Sequence, residues 1–321
     1  MPTQILVDTD PGVDDALALF FGLGAREVEV AQVTTCCGNF DLDTVTRNAQ
    51  YILDVVGAST VPVSPGARRP RAQLPLTSAV HGKAGLGGIC PRQSGSQMHG
   101  EEVSSSEAMR TFLSDQCGEA RTLVALAPLT NIADVISTEA HRFRADDRLV
   151  ILGGAIEVPG NKGPVAEFNF RCDPEAADLV LGNAPCRVTV IPLDLCMRNV
   201  LSMQDLRLVR DPAFRAFLRL LCEEYASANA REEGIDGIIM YDPLAMFCAT
   251  HPNAFTYEQM WMRVDTGDSF ARGMSVIDRR LQGRPAPNVS VATSVDWCLF
   301  VETFFGALNS LTFDESFLRN S

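Results

Sequence analysis

Short apolar runs recur along the first two thirds of the chain, and most are separated by amphipathic stretches of helical length. The runs are Ile5–Val7, Val28–Thr35, Val61–Val63, Thr122–Leu126, Leu149–Leu152 and Val188–Ile191. Helices are expected over residues 42–57, 107–117, 130–138, 174–182, 203–210, 213–229 and 296–309. This alternation predicts an α/β fold with a mainly parallel, doubly wound, Rossmann-like sheet. A chain of 321 residues can bury a sizeable core, and we interpret residues 1–321 as a single large domain.

Three regions depart from this alternation of strands and helices. Residues 65–105 are rich in Pro, Gly and Ser and contain His81, which indicates an active-site loop able to close over a ligand, or else a disordered insertion. Residues 224–241 are expected to form a second active-site loop. Beyond about residue 258 the pattern becomes β-rich, over Met260–Val264, Met274–Ile277 and Val289–Thr293. This predicts a small antiparallel addition near the C-terminus.

Composition and charge narrow the classes of function. The formal net charge of −13 argues against a nucleic-acid or anionic-membrane partner, because phosphate groups would be repelled. No apolar run approaches the length that spans a bilayer, and the first residues do not resemble a signal peptide. The ten cysteines are scattered without CxxC spacing, which favours reduced, mostly buried thiols. We therefore expect a cytoplasmic protein.

Four carboxylates fall within eight residues directly after the first apolar run, in the segment Asp8-Thr9-Asp10-Pro11-Gly12-Val13-Asp14-Asp15. Carboxylates at this density repel one another unless a cation lies among them, and no Lys or Arg occurs before Arg26. The alternative is a solvated turn with acids at a helix N-terminus, where Asp is also favoured. The pattern indicates a metal site at the carboxyl end of a strand, the edge where open α/β sheets bind ligands.

Further acids and amides follow the later expected strands: Asn39, Asp194, and a cluster of Asn161, Glu167, Asn169 and Asp173 after Gly153-Gly154. Each alone is also common in loops, because Asn and Asp bond their own backbone. Together they predict a crevice rich in acceptors and amides with almost no cationic side chains. Such a crevice suits a neutral polyhydroxylated ligand, such as a sugar, better than a phosphate ester.

At this point the chain resembles a known family, the inosine–uridine-type nucleoside hydrolases. The acidic segment is similar to that family's signature. The resemblance continues through Thr34-Thr35, Gly38-Asn39, Thr46-Arg47-Asn48-Ala49, Val80-His81-Gly82, Pro128-Leu129-Thr130-Asn131-Ile132-Ala133, Gly153-Gly154, Ala166-Glu167-Phe168-Asn169, Asp173-Pro174-Glu175-Ala176-Ala177 and Asp242-Pro243. These blocks occur in order from residue 5 to about residue 250, so the resemblance covers most of the chain.

The resemblance implies a calcium-dependent N-ribohydrolase that splits a ribonucleoside, in salvage or catabolism, into ribose and a free base. It implies that Ca²⁺ is held by Asp10, Asp15, the main-chain carbonyl of Leu126 and Asp242, and that Asp14 is the general base that activates a calcium-bound water. The implied substrate-binding residues are Asp15, Asn39, Asn161, Glu167, Asn169 and Asp242, with Phe168 either against the ribose or packing alone. A homodimer or homotetramer is expected. Independently, carboxylates suit the oxocarbenium-like charge of N-glycoside cleavage.

The chain departs from the family pattern at Tyr241, where many relatives place a His thought to protonate the departing base. Tyr241 could donate a proton, orient the base or stack on it. His81 is the other candidate, as acid or as clamp. The sequence does not determine which base the enzyme releases, and uridine, inosine and xanthosine are all candidate substrates.

Two other functions compete with hydrolysis. Asp8-x-Asp10 superficially matches a haloacid-dehalogenase-like phosphatase, although Gly12 stands where that motif has Thr or Val. The other is a nucleoside-binding protein with weak or no catalysis. Intact Asp14 argues against it, because a pure binder has no need for a base beside the metal.

Overall fold

The computed structural model describes residues 2–73, 75–91, 103–114 and 120–318. The strands are Thr3–Thr9 (β1), Val28–Thr35 (β2), Val63–Pro65 (β3), Thr122–Ala125 (β4), Arg148–Leu152 (β5), Arg187–Ile191 (β6), Val200–Leu201 (β7), Ile238–Ile239 (β8), Phe255–Met260 (β9), Met262–Val264 (β10), Ser275–Ile277 (β11) and Val289–Val295 (β12). The α-helices are Val13–Gly24 (α1), Leu42–Val55 (α2), Ser105–Ser114 (α3), Thr130–Glu139 (α4), Phe168–Cys172 (α5), Pro174–Asn183 (α6), Leu193–Cys196 (α7), Pro212–Glu232 (α8), Tyr241–Thr250 (α9) and Trp297–Leu308 (α10).

An eight-stranded sheet organises the chain, in the order β3-β2-β1-β4-β5-β6-β12-β9. Every neighbouring pair is parallel except β12 and β9 at one edge. The strand order reverses between β1 and β4, which is the switch point where ligands bind in open α/β sheets. The doubly wound, mainly parallel fold predicted from the sequence is confirmed.

Successive side chains of the central strands pack alternately into two separate apolar cores, one on each face of the sheet. In β1, Ile5 and Val7 enter the core that contains α1, α8, α9 and α10, whereas Leu6 enters the core that contains α3, α4 and α6. This alternation follows from the two-residue period of a strand. Both faces are covered, so the middle strands are buried and only their ends can meet solvent or a ligand.

The β-rich C-terminal part is more closely joined to the sheet than expected. β12 is a strand of the main sheet and pairs in parallel with β6, and β9 pairs antiparallel with β12. The small antiparallel piece is the two-stranded ribbon of β10 and β11. The periodicity of these runs predicts strands but carries no information on which partner each one takes.

Two local predictions were wrong. Residues 203–210 form only one 3₁₀ turn, Asp205–Leu208, because Asp211 caps the next helix and Pro212 forces the residue before it into an extended conformation. Residues 224–241 are not a loop through most of their length. Helix α8 continues to Glu232 and ends only where Gly234 adopts a φ of +68°, a conformation that favours Gly.

The structure tests the 65–105 prediction only in part, because residue 74 and residues 92–102 lie outside the described residues. Pro65 ends β3, and the remainder up to residue 91 consists of turns and coil with an isolated antiparallel bridge between Leu86 and Ile89. His81 itself is buried, with 5% of its surface exposed. Whether this segment closes over a ligand stays a prediction.

Candidate active site

A cavity of about 260 Å³ opens at the carboxyl ends of β1 and β4. Its wall includes every residue that the sequence indicated for catalysis, substrate or metal: Asp10, Asp14, Asp15, Asn39, His81, Leu126, Asn161, Glu167, Phe168, Asn169, Tyr241 and Asp242. These positions come from six regions of the chain. The segments after β1, β2, β4 and β5 meet at one edge of the parallel sheet, and His81 and the start of α9 complete the wall from outside that sheet. Their individual roles stay predictions.

The turn between β1 and α1 holds Asp15 in a fixed orientation. Its Oδ2 accepts a hydrogen bond from the N–H of Gly12 over 2.9 Å, and its Oδ1 accepts from the hydroxyl of Thr9. Asn39 adds its amide, with Nδ2 lying 3.4 Å from Oδ2 of Asp15. The carboxylate is therefore aimed by donors on both sides before any ligand binds.

Asp10 is held from the loop after β2. Its Oδ2 accepts a hydrogen bond from the N–H of Asn39 over 2.6 Å. A Cβ on Gly38 would lie 2.0 Å from that same oxygen, so only Gly allows the backbone to approach this closely. One carboxylate oxygen of Asp10 is thereby committed to the protein.

Three carboxylates converge on one point. Oxygens of Asp14, Asp15 and Asp242 lie within 4.8 Å of one another, and all three residues are buried. Oδ1 of Asp242 is buried without a hydrogen-bond partner among the described residues. Burial, together with the neighbouring Asp residues, raises the pKa of Asp242 well above its usual range. An orphaned carboxylate oxygen within such a set fits a hard cation with oxygen ligands.

Asp14 meets two aromatic side chains. Its Oδ2 accepts a hydrogen bond from the hydroxyl of Tyr225 over 3.3 Å, and its Oδ1 lies 3.7 Å from Nδ1 of His81. Burial raises the pKa of Asp14 to about 6, against hydrogen bonds that favour its charged form. Such a carboxylate is deprotonated and basic near neutral pH, as a general base requires.

His81 is clamped between the first turn of α1 and helix α8. Its Nδ1 accepts a hydrogen bond from the N–H of Val13 over 3.2 Å, and its ring stacks on Tyr225 at 5.5 Å between centroids. A Cβ on Gly12 would lie 2.7 Å from Nδ1, so the Gly makes room for the ring. Burial lowers the pKa of His81 to about 4, so the imidazole is neutral near pH 7, with its proton on Nε2.

The opposite wall is built by the start of α5. Glu167 caps this helix, with Oε1 accepting from the N–H of Asn169 over 2.7 Å and Oε2 from the N–H of Gly154 over 3.1 Å. Nδ2 of Asn169 donates to the carbonyl of Leu126 over 2.7 Å. Burial raises the pKa of Glu167 to about 7 despite these donors. The carbonyl of Leu126 thus lies at the cavity with a defined orientation.

The rim beside this wall carries Asn161, Lys162 and Phe168. Oδ1 of Asn161 accepts from the N–H of Phe168 over 2.9 Å, which leaves its amide NH₂ group for a ligand. Nζ of Lys162 donates to the carbonyl of Thr77 over 2.8 Å and lies 5.6 Å from the centre of the Phe168 ring. Lys162 is the single Lys or Arg in the described wall.

Sequence reasoning missed part of the wall contributed by α8. Tyr225, Asn229, Glu232 and Glu233 line the cavity together with Tyr241. The spacing of residues 225, 229 and 232 places them on one face of a helix, and this period was the available signal. Tyr225 and Asn229 lie within the helix predicted over residues 213–229, but no role was assigned to that helix face, because residues 224–241 were also interpreted as a loop.

Two of the acids expected at strand ends are outside the cavity wall. Asp173 caps α6 and accepts a hydrogen bond from the hydroxyl of Thr130 over 2.7 Å. Asp194 accepts from the N–H groups of Ile156 and Glu157. Both therefore stabilise backbone, which was the alternative explanation for isolated Asp residues in loops.

Asp8 lies behind the site and is completely buried. Its Oδ1 accepts from Thr34 over 2.6 Å and from Asn131 over 2.8 Å, whereas Oδ2 has no partner among the described residues. Burial raises its pKa to about 7. Asp8 does not line the cavity, and its hydrogen bonds join β1 to β2 and to α4.

Comparison with known proteins agrees with this geometry. Residues 5–302 match the family described as inosine-uridine preferring nucleoside hydrolase. The chain is 31% identical over 310 residues to the inosine-uridine preferring nucleoside hydrolase of Leishmania major, covering 94% of this chain and 97% of that protein. It is 33% identical over 313 residues to the pyrimidine-specific ribonucleoside hydrolase RihA of Shewanella sp. strain ANA-3, covering 96% of each.

Solved structures show the same likeness. A plant nucleoside hydrolase, PpNRh1, superposes with a TM-score of 0.88 at 31% identity, covering 96% of this chain and 99% of that one. A purine-preferring ribonucleoside hydrolase from Gardnerella vaginalis superposes with a TM-score of 0.86 at 26% identity, covering 99% and 100%.

The chain therefore belongs to the inosine-uridine preferring nucleoside hydrolase family and is an N-ribohydrolase. The family resemblance drawn from the sequence is confirmed, and the phosphatase alternative is set aside. Among the described residues, no helix combines the length and apolar character needed to cross a membrane.

Proposed function

We propose that this enzyme hydrolyses the N-glycosidic bond of purine or pyrimidine ribonucleosides, such as inosine, uridine or xanthosine, with Ca²⁺ as its cofactor. The observation that carries the proposal is the convergence of Asp14, Asp15 and Asp242 at the floor of one cavity. Amide groups of Asn39, Asn161 and Asn169 line the same cavity. This combination matches a ligand that is both a metal chelator and a polyol, as ribose is.

The donor set suits Ca²⁺. Asp15, Asp242, the carbonyl of Leu126 and the remaining oxygen of Asp10 would hold it, since all are hard oxygen ligands on the wall of one cavity and Oδ1 of Asp242 has no hydrogen-bond partner among the described residues. When bound, the cation supplies positive charge that acidifies water and orients ribose hydroxyls. Asn39 already joins Asp10 to Asp15, so the ligands are arranged in advance.

Asp14 serves as the general base in this proposal. It is basic near neutral pH, and the Tyr225 hydroxyl and the N–H of Asp15 hold its carboxylate at the cavity floor. Removing one proton from water forms the nucleophile that adds to C1′ of the ribose. Buried carboxylates around the sugar favour the positive charge that develops as the bond to the base breaks.

A second distribution of roles is favoured by one observation. The converging set contains Asp14 and not Asp10. In that arrangement Asp14 would be a cation ligand, and the uncommitted oxygen of Asp10 would take the proton. The two assignments differ in which Asp→Asn variant keeps its metal, and the Discussion uses that difference.

The leaving base faces Tyr241 and His81. Tyr241 is the first residue of α9 and is buried with 8% of its surface exposed. Burial raises the pKa of its phenol above the ordinary value. The neutral His81 presents Nε2–H, a donor that orients a base oxygen or nitrogen without giving up its proton. We assign both residues to positioning and hydrogen bonding of the base.

The test is a panel of nucleosides assayed for free base by chromatography. Uridine, cytidine, inosine, guanosine, adenosine and xanthosine are incubated with enzyme before and after exhaustive chelation, and then with Ca²⁺ restored. We expect ribose and free base in equal amounts, turnover abolished by chelation, and recovery with Ca²⁺. Unchanged turnover in chelated enzyme refutes the metal assignment, and no base release from any nucleoside refutes the activity.

A further inference from the structure

A second cavity is lined by residues of the 3₁₀ turn before α8 and of the first two turns of that helix. Its volume is about 310 Å³, and its described wall consists of Met203, Gln204, Leu206, Arg207, Arg215 and Arg219. It shares no lining residue with the candidate active site. A volume of this size lies within the range of small-molecule sites. We call this cavity the arginine groove.

Half of the residues in that wall are arginines, and none of the three forms an ion pair with a described residue. Nine other described arginines do form ion pairs. Nη1 of Arg215 donates to the carbonyl of Val209 over 3.1 Å, which fixes one side of its guanidinium group. Arg207 and Arg219 are exposed and make no side-chain hydrogen bond with a described residue. The groove therefore offers charged donors that the described chain leaves unused.

The acids nearest to the groove in sequence are occupied elsewhere. Oδ2 of Asp205 accepts hydrogen bonds from the N–H and from the hydroxyl of Ser202, both over 2.8 Å. Oδ1 of Asp211 accepts from the N–H of Ala213 over 2.8 Å and caps α8. The described wall of the groove itself contains no Asp or Glu. Its positive charge is therefore not neutralised from within the wall.

This positive charge is local, in a chain whose formal net charge is −13. Arg215 and Arg219 lie four positions apart on α8, a spacing at which like charges on a helix repel each other. An anion held between them would remove this repulsion and gain charge-assisted hydrogen bonds. Guanidinium groups match the geometry of phosphate, and three of them surround one compact groove rather than a stripe. The net charge repels nucleic acid, so a small phosphorylated molecule is the anion that the groove favours.

The rest of the wall indicates what the phosphate is attached to. Leu206 is buried and Met203 is half-buried, so they give the groove an apolar surface. Gln204 is exposed, and its amide can both donate and accept hydrogen bonds. Guanidinium planes also stack on aromatic rings. An apolar surface, an amide and a stacking plane together match a heterocyclic base.

We propose that the arginine groove binds a nucleoside monophosphate. Arg207, Arg215 and Arg219 hold its phosphate, and its base lies over Met203 and Leu206. The bound nucleotide is a ligand and not a substrate, because the groove has no residue in common with the site where we propose nucleoside hydrolysis.

The test is isothermal titration calorimetry of calcium-loaded enzyme, freed of excess metal, with uridine and adenosine monophosphates. Wild type is compared with Arg207→Gln/Arg219→Gln and with Arg26→Gln/Arg284→Gln, a control that removes two exposed arginines elsewhere. All four side chains are exposed, so both variants should fold, and equal melting temperatures check this. We expect saturable binding in wild type and control, and a Kd about tenfold higher in the groove variant, since two charged donors are lost.

Ribose 5-phosphate and inorganic phosphate separate recognition of the whole nucleotide from recognition of its phosphate. We expect both to bind at least about tenfold more weakly than the nucleotides, because they make no contact with the apolar surface. Equal affinities would overturn the assignment to a nucleotide. In wild type, nucleotide binding should also weaken as ionic strength rises, because salt screens exposed charges.

Two results would overturn the site itself. One is the absence of saturable nucleotide binding at concentrations up to about 5 mM, where even weak specific binding is measurable. The other is binding that the groove variant leaves unchanged, which would place the nucleotide elsewhere, for example in the candidate active site. Neither result bears on the proposed hydrolysis, which the panel of nucleosides tests separately.

Discussion

The hydroxyl of Tyr225 donates a hydrogen bond to Oδ2 of Asp14 over 3.3 Å, across 211 positions of the chain. It joins helix α8 to the first turn of α1 and places a neutral donor on the carboxylate that we propose as the base. The bond favours the charged form of Asp14 and opposes the burial that raises its pKa to about 6.

Tyr225→Phe should shift the acid limb of the pH profile. Without the hydroxyl the charged carboxylate loses a donor, so the pKa of Asp14 rises. Asp14 acts as general base only when it is deprotonated, so activity is present above its pKa and is lost as pH falls through it. In the variant, this loss should begin at a higher pH than in wild type. We expect kcat/KM at pH 6 to fall by about threefold to tenfold, with a smaller loss at pH 8. Tyr257→Phe, remote from the cavity, is the control, and an unshifted limb would contradict the contact's proposed effect.

The variants Asp14→Asn and Asp10→Asn distinguish the general base from the calcium ligands. If Asp14 is the base, Asp14→Asn should bind Ca²⁺ and nucleoside normally and lose at least about a hundredfold in kcat. Asp10→Asn should lose Ca²⁺ and activity together. Calcium affinity is measured by calorimetry beside the kinetics. The reverse result, with metal lost in Asp14→Asn and retained in Asp10→Asn, would assign the proton transfer to Asp10.

Asp242→Asn should affect stability in opposite directions with and without metal. In calcium-free enzyme the substitution removes one of three crowded buried carboxylates, so we expect a higher melting temperature than for calcium-free wild type. With excess Ca²⁺ the wild type should gain several degrees and the variant little, since a ligand is missing. Differential scanning calorimetry measures both. Asp268→Asn, on an exposed loop, is the control, and equal calcium-induced shifts in the two enzymes would exclude Asp242 as a ligand.

Tyr241→Phe tests whether the phenol assists the departure of the base. We expect slower hydrolysis of natural nucleosides, whose base accepts a hydrogen bond from the phenol, and little change for a p-nitrophenyl riboside, whose leaving group needs neither a proton nor that hydrogen bond. Equal slowing of both substrates would indicate packing or ribose positioning instead. Tyr241→His is the complementary variant, and a gain on inosine or uridine would show that the pocket can place an acid at this position.

Asp147→Asn should destabilise the fold without touching the site. Asp147 is fully buried, and its two oxygens accept from Nε and Nη2 of Arg121 over 3.0 and 2.6 Å. Burial would raise its pKa, but the donors of Arg121 and Arg144 outweigh it and the pKa is lowered. The stability that this ion pair contributes is fully present above the pKa of Asp147 in the unfolded chain, and it is lost as pH falls through the lower pKa of Asp147 in the folded protein. We expect a loss of about 3 kcal/mol in urea unfolding at pH 7, because Arg121 stays buried without its partner.

The control for that measurement is Asp43→Asn. Asp43 pairs with Arg68 at the surface, where both side chains are about two thirds exposed. Exposed pairs contribute little because water and salt screen them. A similar loss of stability in both variants would show that burial does not distinguish the two pairs.

Part of the site was predictable from a local pattern, whereas Leu126, Tyr241 and Asp242 were indicated only by the family resemblance. Acids directly behind an apolar run lie at the carboxyl end of a strand wherever that strand sits, and parallel strands bring such ends together. Asp10, Asp15 and Asn39 were found in this way. The same rule also selected Asp173 and Asp194, which cap or bond backbone instead, since local sequence does not say which way an Asp points.

The sequence by itself determined the alternation of strand and helix, the parallel sheet and the family. The first two depend on the short repeat of apolar residues along each element, and the family depends on motifs that occur in a fixed order along the chain. Only the tertiary structure decided that α8 extends to Glu232 and brings Tyr225, Glu232 and Glu233 to the cavity. It also decided that His81 is buried against Tyr225 rather than free on a loop. These contacts join positions far apart along the chain. They arise from the packing of helices on a shared core, which no local pattern specifies.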